Sequence, residues 1–213
     1  MRLHAWGRRG LLLLALIPAA LVAQTQARPD ALAEYRNGNY ARAVSICQSE
    51  LAANPNNLDS HVVICWSLIQ LGRYDEARRY GLEGLRLSRY DFRLIEIMGE
   101  VNYYMGQNNE ALQYFQDYIN MAPDGARTAE VYYYIGEIYI RLGKYRHADI
   151  ALSTAVYYTP GNAVWWSRLA YARESAGDLS EAIGAYERAL SLNANLSDAR
   201  RGLDRVRASL RLP

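Results

Sequence analysis

The chain has 213 residues, 51% of them hydrophobic, and a formal net charge of +2. That length suits one ordinary domain or one short repeat array, and the hydrophobic share excludes wholesale disorder. The charge is too small for a nucleic-acid binder, which needs a concentrated basic face.

In chain order, the first feature is a leader. Arg2, Arg8 and Arg9 precede Leu11 to Ala23, an uncharged apolar run of 13 residues interrupted only by Pro18. Spanning a bilayer takes about 20 residues, so this run predicts the apolar stretch of a secretory signal peptide over residues 1–23. Cleavage is expected after Ala23 or after Ala27, and no cysteine near either junction offers a lipid anchor. Removing the leader leaves a net charge of −1. The mature protein is therefore expected to be exported, periplasmic or otherwise extracytoplasmic, with no stable membrane anchor.

An internal register follows over residues 24–196. Gly38, Gly72, Gly106, Gly143 and Gly177 lie 34, 34, 37 and 34 residues apart, each with an alanine five residues later: Ala43, Ala77, Ala111, Ala148 and Ala182. Pro55, Pro123 and Pro160 stand 17 residues after three of the glycines. Between these markers apolar residues recur at helical spacing, as in Ile95, Met98 and Gly99 or Tyr132, Ile135, Gly136 and Tyr139. Glycine ends one helix because it takes positive φ cheaply, and proline stops the next. Five helical hairpins are predicted, over 30–57, 58–91, 92–125, 129–162 and 163–196. The one longer spacing is absorbed near Ala126-Arg127-Thr128, and the first helix of the first unit is cut short at Arg28-Pro29. Ser197 to Leu212 predicts an amphipathic capping helix within residues 197–213.

The register resembles the tetratricopeptide repeat family, whose pattern runs W-x2-L-G-x2-Y, then A-x3-F, then P. Tyr132-Ile135-Gly136-Tyr139 with Ala148, Leu152 and Pro160 carries the resemblance, as do Ile95-Met98-Gly99 with Ala111-Phe115-Pro123 and Trp166-Leu169-Ala170 with Ala182-Tyr186. Asn102 and Arg173 depart from the pattern's apolar or aromatic choice. The implied fold is all-α, a right-handed superhelical solenoid whose first helices line a concave groove. The implied function is that of a non-enzymatic scaffold holding a protein or peptide segment there; with the leader, the expected setting is an envelope complex. A glycan or peptidoglycan binder and a purely structural subunit are the rival readings.

Carried over by resemblance, the groove takes Asp59, Val62, Trp66 and Ile69 from the second unit and Arg93, Glu96, Glu100 and Tyr103 from the third. It takes Glu130, Tyr133, Glu137 and Ile140 from the fourth, and Val164, Ser167, Tyr171 and Glu174 from the fifth. Lys and Asn, which family members use to grip acidic chaperone tails, are replaced at matching slots by Trp66, Glu100, Glu137 and Tyr171. Glu96 and Glu100 are one turn apart, a like-charge pair costing a few tenths of a kcal/mol. Two readings stand: a solvated charged face, or an acidic groove that a basic partner relieves. Tyr132, Tyr133 and Tyr134 point in three successive directions, so not all can be core; tyrosine is also enriched at interfaces.

No HExxH, CxxC, GxSxG or phosphate-cradling loop is present, and His61 and His147 are isolated, so neither catalysis nor a metal or cofactor is expected. The only two cysteines, Cys47 and Cys65, fall by resemblance on neighbouring helices. In an exported protein they could be bridged, closing a loop worth about 3 kcal/mol. The alternative is two small buried residues, since bridging needs Cα atoms within about 7 Å. The 23 arginines against one lysine, Lys144, require no more than a GC-rich genome.

Overall fold

A computed structural model describes residues 30–210. Within them lie eleven helices and no strand: α1 (Ala31–Arg36), α2 (Tyr40–Ala53), α3 (Leu58–Gln70), α4 (Tyr74–Leu87), α5 (Phe92–Tyr104), α6 (Asn108–Met121), α7 (Thr128–Arg141), α8 (Tyr145–Tyr158), α9 (Ala163–Ala176), α10 (Leu179–Leu192) and α11 (Ser197–Ser209). The expected leader, its cleavage sites and Arg211 fall outside the described residues. From α1 to α10 each odd-numbered helix pairs with the even one after it and each pair packs on the next, with α11 closing on α10 and α9, which is a solenoid of antiparallel hairpins.

Local chemistry explains the boundaries. Five turns between paired helices pass through a glycine at φ between 68° and 88°, a conformation that a Cβ makes costly. Helices that open a unit start on a short polar cap: the side chains of Asp30, Asn57, Asp91 and Asn162 accept backbone N–H groups of their first turns. At α7 the pattern breaks, because Arg127 stands at the cap without a side-chain bond. There the longer loop is held by the Tyr118 hydroxyl, which accepts the Arg127 N–H at 3.2 Å, and by Thr128, which donates to the Ala122 carbonyl at 3.1 Å. Among consecutive helices, α6 and α7 share the smallest contact.

The core runs the length of the array in three stretches. Tyr132 and Tyr139 pack against both the middle and the C-terminal stretch. Close crossing comes from small residues: Gly99 lies against Phe115, Gly136 against Leu152 and Gly202 of α11 against Tyr186. Both pattern departures are satisfied. Buried Asn102 donates to the Met98 carbonyl at 2.6 Å, and Arg173 donates to Asp149 at 2.8 Å.

Cys47 and Cys65 are free, buried thiols. The structure records them unbridged, among the core residues of the first two units. Cys65 donates to the Ala77 carbonyl at 3.3 Å, beside the point where Gly81 lets α4 approach Met98 of α5. Burial pushes the Cys47 thiol up to about 12, so neither sulfur has the thiolate character that reactivity needs.

Candidate functional site

The opening helices α1, α3, α5 and α7 converge on a cleft of about 320 Å³. Tyr35, Trp66, Tyr104 and Tyr134 form its aromatic walls, with Ile69, Gln70, Glu100 and Arg127 completing the lining. Tyr35 meets Trp66 at a centroid distance of 5.7 Å, and Tyr104 stacks on Tyr74 at 5.0 Å. Tyr134 donates to the Glu100 carboxylate at 3.0 Å. Of the expected groove residues, Trp66, Ile69 and Glu100 meet here. Tyr35, Tyr104, Arg127 and Tyr134 were not among those expected.

A second cleft of about 570 Å³ adjoins it, lined by Asp59, Ser60, Val63, Trp66 and Arg93 among others. Toward the C-terminal end, Ser167, Arg168, Tyr171, Asp198, Arg201 and Arg205 line a third of about 250 Å³. His61 belongs to none of the three. It is buried, with its ring nitrogens 3.1 Å from the Tyr80 and Pro55 carbonyl oxygens.

The carboxylates depart from both earlier readings. Glu96, Glu100 and Glu137 are buried rather than solvated, at 2%, 6% and 9% exposure. Nor do they stand as bare negative charge, because each bonds an arginine from the next unit. Arg127 donates to Glu96 and Glu100, both at 3.2 Å, and Arg168 forms a two-bond fork with Glu137 at 2.6 and 2.9 Å. Arg205 grips both oxygens of Glu174, and Arg93 joins Asp59 at 2.8 Å. This ladder gives the arginine excess a structural use: a planar guanidinium holds a carboxylate by two parallel bonds, which an ammonium cannot. A sequence signal existed, since the arginine lies 31 residues after Glu96, Glu137 and Glu174 and 34 after Asp59.

Pairing is uneven along the ladder. Glu137 and Glu174 each have their own arginine, whereas Arg127 is shared by Glu96, Glu100 and Glu130, the last at 3.6 Å. Burial pushes the Glu96 carboxyl up to about 7; Arg127 opposes this, and Glu100 and Glu130 add to it. Glu174 goes the other way: burial works against its charge, but Arg205 and the Tyr186 hydroxyl hold its carboxyl below the usual value.

Two aromatic expectations change. Tyr103 is buried at 9% exposure instead of facing the groove. The Arg141 guanidinium sits 3.8 Å from its ring centroid while donating to its carbonyl, which seals that side. Tyr133 is half-buried and stacks on Trp165 at 5.1 Å.

Family models agree with this geometry. Two tetratricopeptide repeat models match residues 97–125 and 135–200, and the model of anaphase-promoting complex, cyclosome, subunit 3 matches residues 23–81. A curated relative is the BBSome complex member BBS4 homolog of Drosophila melanogaster, 26% identical over a match of 144 residues that covers 62% of this chain. The chain spans only 29% of that relative's length. Among solved structures, the Cut9-Hcn1 hetero-tetramer of APC/C is similar at a TM-score of 0.74 and 19% identity, covering 83% of this chain and 35% of that one. YrrB, described as a TPR protein with an unusual peptide-binding site, is similar at a TM-score of 0.65 and 16% identity, covering 80% and 87%. At such identities the likeness is one of fold.

Proposed function

We propose that this chain, which is a tetratricopeptide repeat protein, is a non-enzymatic scaffold that holds an extended peptide or protein segment in the groove of its odd-numbered helices. The observation that carries this is the aromatic cleft between Trp66 and Tyr104. Large, rigid, amphipathic rings there line an open concavity at the junction of successive units, and such rings supply contact area at low entropic cost. Three carboxylates against one guanidinium favour a partner with basic character.

The test begins with crosslinking and recovery of the partner from native material. Replacing Trp66 and Tyr104 with Ala should then weaken that partner's binding more than tenfold while leaving the Tm nearly unchanged. Undiminished affinity would move the interaction to the convex face or to α11. Export to the cell envelope belongs to the same proposal and rests on residues 1–23. The native protein should begin at Gln24 or Arg28, and a soluble cytoplasmic form retaining Met1 would exclude export.

A further inference from the structure

The groove's two ends differ in charge. Near the aromatic cleft, Arg127 serves Glu96, Glu100 and Glu130, and Arg93 serves both Asp59 and Asp91. Carboxylates therefore outnumber guanidiniums by three in that half. The C-terminal cleft presents three guanidiniums, those of Arg168, Arg201 and Arg205, against the single carboxylate of Asp198. The partners of Arg168 and Arg205, Glu137 and Glu174, lie beneath them with side chains only 12% and 15% exposed. The N-terminal half thus carries an excess of carboxylates, Asp59 exposed and Glu130 partly exposed among them, whereas the C-terminal cleft is formally balanced but turns its guanidiniums outward over buried carboxylates. Ser167 and Tyr171 add hydroxyls in that cleft.

We propose that the groove is polarised, taking an extended segment with a basic residue in the Trp66–Glu100 cleft and an acidic residue in the Arg201–Arg205 cleft. This rests on the reading that the groove binds a peptide, and adds the order in which that peptide must carry its charges. A basic side chain lays its aliphatic stem on Trp66 and Tyr104 and brings its head to the under-compensated carboxylates. An acidic side chain accepts from Arg201, whose one ionic partner among the described residues, Asp198, is itself exposed and free to yield. The two clefts lie three units apart, from α5 to α11. With neighbouring helices about 10 Å apart, the separation is roughly 30 Å, or about nine residues of extended chain.

The test is selection of a displayed random dodecapeptide library on the full chain, with the Trp66→Ala and Tyr104→Ala variants identifying peptides that need the groove. Groove-dependent peptides should carry Lys or Arg in one half and Asp or Glu in the other, about nine residues apart. Arg201→Glu should weaken these peptides about tenfold and strengthen versions in which the acid is replaced by Lys. Groove-dependent peptides with unsegregated charges, or with affinities indifferent to Arg201→Glu, would overturn the polarity while leaving the groove reading intact. A library with no groove-dependent binder at all would overturn both.

Discussion

Glu96 shows how far one residue's surroundings can reverse its ordinary behaviour. Its carboxyl titrates near 4.5 when exposed and near 7 when folded, so the folded chain binds more protons between those values. The stability this group contributes is thus fully present below about pH 4.5 and is lost as pH rises through about 7. Glu96→Gln removes the titration and leaves Arg127 paired with Glu100 and Glu130. Relative to the parent, the variant should gain stability by about 2 kcal/mol between pH 5 and pH 8, read as diverging thermal unfolding curves. Parallel curves across that range would mean that burial of the carboxylate carries no such cost. The Glu96/Glu100 pair was visible in the sequence from its one-turn spacing. Arg127 was missed because it sits in the one longer connection, outside the 34-residue register, and its signal is instead the 31-residue step that recurs from Glu137 to Arg168 and from Glu174 to Arg205.

Helix crossings are decided by the glycines, and by two different kinds of glycine. A Cβ on Gly99 would stand 2.5 Å from the Phe115 ring, which is itself stacked flat on Tyr134 at 5.6 Å and cannot retreat. Gly99→Ala should therefore cost about 1–3 kcal/mol, outweighing the gain of up to about 1 kcal/mol from better helix propensity. Gly184, exposed on α10 with nothing within 4 Å, supplies the control. Gly184→Ala should raise the Tm while Gly99→Ala lowers it, and a rise in both would show that α5 and α6 can separate to admit the methyl. The close-contact role of Gly99 and Gly136 was legible from their slots in the repeat. That of Gly202 was not, since α11 follows the last register marker and belongs to no repeat.

Across the whole molecule, periodicity carried the architecture. Five glycines and five alanines in step predict five hairpins, and the helices fall where that step puts them. The pairing of charges between units follows a different step, 31 residues, and depends on side-chain reach across a groove rather than on spacing along one helix. Hence the carboxylates were read as a charged face or a bare acidic groove, and the arginine ladder that neutralises much of it went unseen.

The same preference for arginine leaves the chain with one lysine. Lys144 is exposed at the start of α8, in the glycine turn that follows α7, and lines none of the three clefts. An amine-directed reagent consequently has a single side-chain target, separate from the N-terminal amine. A dye or a surface tether can be fixed at that one point on the natural sequence while the groove stays unmodified.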